Sequence, residues 1–115
     1  MKKSTVRSLL AITIIALATS FAFAQSSAVK TLQGRVLGVD DAPLSGAIVY
    51  LQDGKTNSIR SFFSTANGSY RFGQLSSDTD YQVWAKYKNE KSGTRTISSY
   101  DSRKNLVIDL HIKAK

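Results

Sequence analysis

The chain has 115 residues, 16 Lys/Arg against 8 Asp/Glu, one histidine and no cysteine. The absence of cysteine excludes disulfides and a lipid-modified N-terminal cysteine, and one histidine is too few for a zinc site built on histidine and cysteine. The formal charge of +8 points less to nucleic acid than it first suggests, because Lys2, Lys3 and Arg7 belong to an N-terminal address.

Those three cations precede an apolar run from Leu9 to Phe23, and Ala22-Phe23-Ala24 follows the small-x-small pattern of signal peptidase cleavage. The run is shorter than the ~18 residues that span a bilayer, so residues 1–24 read as a cleaved signal peptide rather than an anchor. The expected location is exported, periplasmic or secreted, with no stable membrane anchor after cleavage. The remaining 91 residues suffice for one domain, with 25–29 a short leader and 30–115 the domain. They carry 13 Lys/Arg against 8 acids, and this charge is dispersed, Lys30 included, as expected of a solvated surface. Nucleic acid is not an expected partner.

After the leader come short strand-like runs punctuated by turns. Thr31–Val39 reads as the first strand, and the cluster from Asp40 to Gly46 with the only proline as a turn. Ala47–Gln52, Ser58–Thr65, Ser69–Phe72 and Tyr81–Lys88 follow as the second to fifth strands, Thr94–Ser99 as the sixth and Leu106–Lys113 as the seventh. The last alternates most cleanly, with Leu106, Ile108, Leu110 and Ile112 on one face. About seven short strands in 91 residues specify an all-β antiparallel sandwich.

Asn67-Gly68 is a strong hairpin cue, since both residues tolerate the positive φ of a primed turn. Asn67-Gly68-Ser69 also matches the N-glycosylation sequon, but the signal peptide is of bacterial style. Gly68-Ser69-Tyr70-Arg71-Phe72-Gly73 echoes the aromatic strand of RNA-binding sheets only faintly, and no helix follows to cradle a phosphate. Tyr70 and Phe72 share a face and read as core.

Several stretches together resemble a known family: Gly34-Arg35-Val36, Pro43-Leu44-Ser45-Gly46-Ala47-Ile48-Val49-Tyr50-Leu51, Thr65-Ala66-Asn67-Gly68-Ser69-Tyr70-Arg71-Phe72, and Tyr81-Gln82-Val83-Trp84-Ala85. Their order is similar to that of the carboxypeptidase regulatory-like domains, over nearly all of the exported part. The resemblance implies a Greek-key β-sandwich of the transthyretin (prealbumin) type and a noncatalytic module. Two related families carry chemistry that this chain lacks the residues for. Gly38 stands where collagen-adhesin repeats place an isopeptide-forming lysine, and the terminal Tyr-Arg-Gly-Ser of hydroxyisourate hydrolases is replaced by His111-Ile112-Lys113-Ala114-Lys115.

No catalytic residue, metal ligand set or cofactor motif is assigned. His111 has only Asp109 as a same-face neighbour, and a hydrolase would need His111 and an acid in one pocket. Asp40/Asp41 and Asp78/Asp80 sit in turns, where Asp bonds its own backbone, and Asp78-Thr79-Asp80 lacks the further ligands of a calcium loop. The expected site is a set of exposed aromatics. Lys86 and Lys88 mark the Trp84 face of the fifth strand as outward, and parity adds Tyr50 and Phe62, with Arg60 and Lys86 as nearby cations. The expected function is a cell-envelope interaction module that binds a protein partner or self-associates through the Trp84 face. The alternative is a carbohydrate-binding module with Trp84, Tyr50 and Phe62 as a stacking platform.

Overall fold

Period-two alternation becomes two packed sheets in the computed structural model, which describes residues 29–114. The signal peptide and all of the leader but Val29 lie outside the described residues. The strands are β1 (Val29–Leu37), β2 (Ile48–Asp53), β3 (Ile59–Phe63), β4 (Ser69–Ser76), β5 (Tyr81–Tyr87), β6 (Glu90–Lys91), β7 (Arg95–Ile97), β8 (Asn105–Val107) and β9 (Leu110–His111). One sheet runs β4-β1-β8, with β9 continuing along β1; the other runs β3-β2-β5-β6, with β7 also on β5. Leu32 and Val36 of β1, Val49 and Leu51 of β2, Tyr70 and Phe72 of β4, Val83 and Ala85 of β5, and Leu106 and Leu110 fill the space between them. The fold is an all-β sandwich.

The anticipated seventh strand is two strands, and both pair with β1 in parallel. Gln33 faces Val107 and Val36 faces Leu110, so one register holds on both sides of the break. The interruption at Ile108 and Asp109 has a local cause. A Cβ at Gly34 would overlap the Ile108 carbonyl oxygen, so glycine lets this strand press against β1. The Ile108 N–H still donates to the Gln33 carbonyl at 2.9 Å, while side chains take the neighbouring groups: the Tyr70 hydroxyl donates to the Ile108 carbonyl at 2.7 Å, and Asp109 Oδ1 accepts the Arg35 N–H at 3.0 Å. The inward alternation nonetheless persists, with Leu106, Leu110 and Ile112 buried.

The Thr65–Ser69 segment turns from one sheet to the other and is not a hairpin. β3 pairs with β2, whereas β4 pairs with β1. The Gly68 N–H donates to the Thr65 carbonyl and the Thr65 N–H to the Ser69 carbonyl. Gly68 alone in this turn has a positive φ, of 81°. That is a normal turn followed by a left-handed glycine rather than the primed turn that the Asn-Gly pair suggests. Glycine is needed twice over, because a Cβ would lie 2.8 Å from the Val36 carbonyl. Asn67 Oδ1 is engaged within the corner by the hydroxyls of Thr65 and Ser69, both at 2.7 Å.

Two further features differ from the sequence expectation. Lys30 is buried instead of solvated, because it shares the inward parity of Leu32; its stem is covered and its ammonium reaches the Ser98 carbonyl at 3.3 Å. Next along the β1–β4 pair, Gly73 and Gln74 of β4 face the single residue Thr31, a β-bulge with Gln74 at φ 58°.

Candidate functional site

The outer face of the β3-β2-β5-β6 sheet is built by strand parity. Cross-strand partners share a face, and Tyr50 lies directly opposite Trp84. Both rings are half-buried and stack at a centroid separation of 5.6 Å and an interplanar angle of 20°. On the far side of β5, Lys91 of β6 places its ammonium 5.7 Å from the centre of the Trp84 ring. The indole thus stands between a phenol from one neighbouring strand and a cation from the other. Lys86 is exposed on the same face, opposite Ile48, and faces Lys91 across the β5–β6 pair. Ile48 is half-buried there, and Ile59 and Phe63 of β3 complete the face with exposures of 53% and 65%.

Trp84, Tyr50 and Lys86 therefore share one face. Phe62 and Arg60 do not. Phe62 pairs with Val49 and Arg60 with Leu51, both core residues, so both side chains take the inner face of the sheet. Phe62 packs edge-on to Phe72 at 6.2 Å, and the Arg60 guanidinium lies 5.6 Å from the same ring and 3.5 Å from the Gly73 carbonyl. Arg60 is at home on an inner face because β3 is the outermost strand, where the inner side opens to water at the rim. Ser64 follows the same parity: it is buried, accepting the Ala47 N–H at 2.8 Å and donating to the Leu44 carbonyl at 2.6 Å. Sequence reasoning missed Phe63 and Lys91 as members of the outer face. Phe63 was readable once the parity of β3 was reversed, whereas Lys91 sits in a two-residue strand that carries no alternation.

Of the concavities among the described residues, two bear on the question of catalysis. One, of about 510 Å3, covers the outer side of the β4-β1-β8 sheet and is lined by Gln33, Arg35, Arg71, Val107 and Asp109, with Phe62 at its rim. The other, of about 190 Å3, holds Arg95, Asp109 and His111. A histidine and an acid thus do adjoin, but the Asp109 carboxylate receives the Arg35 N–H and His111 Nε2 lies 3.4 Å from Asp41 Oδ1. The lining residues Gly93, Arg95, Asp109, Leu110 and His111 include no hydroxyl or thiol nucleophile.

Residues 31–113, which take in every described strand but the start of β1, match the carboxypeptidase regulatory-like domain. The chain belongs to the carboxypeptidase regulatory-like domain family. No curated protein sequence matches it. Among solved structures, this carboxypeptidase regulatory-like domain is similar to the dioxygenase domain of a dioxygenase carbohydrate-binding protein fusion from Streptomyces sp. SirexAA-E, at 14% identity and TM-score 0.58, covering 78% of this chain and 82% of that one. It is similar to a DUF3823 family protein from Parabacteroides merdae at 17% identity and TM-score 0.57, covering 76% and 47% of the two chains. It is also similar to BcpA, the major pilin subunit of Bacillus cereus, at 12% identity and TM-score 0.59, covering 76% and 31%. At these identities the likeness concerns the fold of the carboxypeptidase regulatory-like domain and not its activity.

Proposed function

We propose that the protein is a noncatalytic, exported interaction module of the cell envelope that binds a protein partner through the Tyr50–Trp84 face. The observation that carries this reading is the apolar strip from Phe63 through Ile48 and Tyr50 to Trp84 on one side of a sheet, bordered by Lys86 and Lys91, with Ile59 set apart beyond Ser61 and Gln52. A large aromatic anchor with an apolar surround and a charged rim is the usual composition of a protein-binding patch. Export is supported by the basic, apolar and Ala-x-Ala order of residues 1–24. Among the described residues no helix is long and apolar enough to cross a membrane.

The glycan alternative is less favoured for a geometric reason. A sugar ring stacks on an open aromatic face, and Tyr50 and Lys91 occupy the two sides of the Trp84 indole. The deciding experiment places a photo-crosslinking residue at position 82, an exposed site beside Trp84 on the same face and away from the β3 edge, in exporting cells, and in parallel assays retention on insoluble polysaccharides. A crosslinked protein species that disappears with Trp84→Ala supports the module. Polysaccharide retention that disappears with Trp84→Ala would replace it by the glycan reading.

A further inference from the structure

β3 ends its sheet with an open hydrogen-bonding edge. The Asp53 N–H donates to the Ser58 carbonyl and the Ser64 N–H to the Ala47 carbonyl. In an antiparallel pair such bonds alternate along the strand, so the even-numbered residues of β3 bond to β2. The main-chain groups of Ile59, Ser61 and Phe63 consequently point away from the sheet. Among the described residues β3 pairs with no other strand, and none of these groups has a hydrogen-bond partner.

The other edges are blunted. β4 carries the Gly73–Gln74 bulge and its Ser69 carbonyl is already bonded, β6 and β7 are only two and three residues long, and β8 and β9 are interrupted at Ile108 and Asp109. Each is a common device against edge-to-edge pairing. β3 has five uninterrupted residues, Ile59-Arg60-Ser61-Phe62-Phe63, with no proline and two exposed apolar side chains.

We infer that the β3 edge is a homodimer interface, in which β3 of a second copy pairs antiparallel about a two-fold axis at Ser61. The strand is self-complementary in that register. Ser61 meets its own copy, so the smallest side chain of the strand lies at the axis. Ile59 meets Phe63 of the second copy and Phe63 meets its Ile59, which covers the two most exposed apolar groups of the sheet. Arg60 meets Phe62 of the second copy rather than the second Arg60, so the two cations are not opposed. The residues that face one another as bonded pairs are those whose main-chain groups are free, and each such pair exchanges two hydrogen bonds. The two sheets become one, and the two Tyr50–Trp84 faces lie on the same side of it. This proposal concerns the β3 edge and holds whatever the Tyr50–Trp84 face binds.

The test is sedimentation equilibrium of the exported protein over a range of concentrations, together with disulfide trapping. The wild type should approach twice the monomer mass. Ser61→Pro removes an N–H that β2 does not use, leaves the β2 ladder intact, and should weaken dimerisation by at least about tenfold. Since the chain has no native cysteine, Ser61→Cys supplies a single thiol. The two thiols should join under mild oxidation, because bonded antiparallel partners stand ~5.5 Å apart at Cα, within disulfide reach. Gln82→Cys, on the outer face of β5, should not join. A wild type that stays monomeric at every concentration overturns the proposal. So does Ser61→Cys that joins no faster than Gln82→Cys, an outcome that remains readable even if Ser61→Pro fails to fold. A dimer that survives Ser61→Pro and is lost in Trp84→Ala also overturns it, and would leave self-association to the Tyr50–Trp84 face.

Discussion

Tyr70 and Ile108 are joined by a 2.7 Å hydrogen bond from the phenol to the main-chain carbonyl, although β1 lies between β4 and the β8–β9 segment. The bond passes Gly34, which pairs with Tyr70 on one side and meets the Ile108 carbonyl on the other. This arrangement holds the last part of the chain against the first strand.

Gly34→Ala should be the most damaging single methyl in the domain. Its Cβ would overlap main chain, which cannot rotate away as a side chain can. The expected loss is about 3 kcal/mol, read from the urea midpoint. Hydrogen exchange should rise first in β8 and β9. A variant within about 0.5 kcal/mol of wild type would contradict the close packing described at this position.

Tyr70→Phe keeps the ring in the core and removes only the hydroxyl. The Ile108 carbonyl loses its donor, at a cost of about 1–2 kcal/mol. Calorimetry at pH 7 measures this directly, and an unchanged melting temperature would show that the bond contributes nothing net.

The same residue makes stability sensitive to alkali. Burial, reinforced by the Asp109 charge, raises the ionisation of the Tyr70 phenol above its ordinary value near 10. Above pH 10 the unfolded chain releases this proton while the folded one keeps it, so the stabilisation is complete below 10 and is lost as pH rises. The wild type should lose up to about 1.4 kcal/mol per pH unit more steeply than Tyr70→Phe between pH 10 and 12. Parallel denaturant titrations of the two proteins give the difference, and coincident slopes would remove the claim.

Ser64→Ala tests the corner between the sheets. The buried hydroxyl serves both the Ala47 N–H and the Leu44 carbonyl. Deleting it leaves a donor and an acceptor without their partner, for an expected loss of about 2–3 kcal/mol. Ser64→Thr, which keeps the hydroxyl, should recover part of this in the same unfolding assay if its extra methyl is accommodated.

Trp84 is the only tryptophan, so its fluorescence reports on the outer face alone. Lys91→Ala uncovers one side of the indole and Tyr50→Ala the other, and each should increase quenching by acrylamide. Quenching unchanged in both variants would mean that neither neighbour covers the ring in solution.

The strands themselves were legible from the sequence, because period-two alternation is a local property of the pleat. Trp84 could be assigned outward on the same ground: Lys86 shares its parity within one uninterrupted strand, whereas Lys88 stands in the turn just after it with φ 55°. Tyr50 followed from Val49 and Leu51, and Tyr70 and Phe72 from their common spacing. The family resemblance rested on the same runs, taken in order.

Facing failed where polarity ceased to mark the inside. Arg60 and Ser64 made the Phe62 side of β3 look solvated, yet Arg60 sits at a rim where an inner position is still wet, and Ser64 is buried because two main-chain groups need its hydroxyl. Only the tertiary structure decided which strands pair. It set β3 and β4 in different sheets, ran β8 and β9 parallel to β1, and brought Lys91 over Trp84. Alternation says which way a side chain points relative to its own strand; which strand lies alongside depends on contacts between residues far apart in the chain, and those exist only once the sandwich has closed.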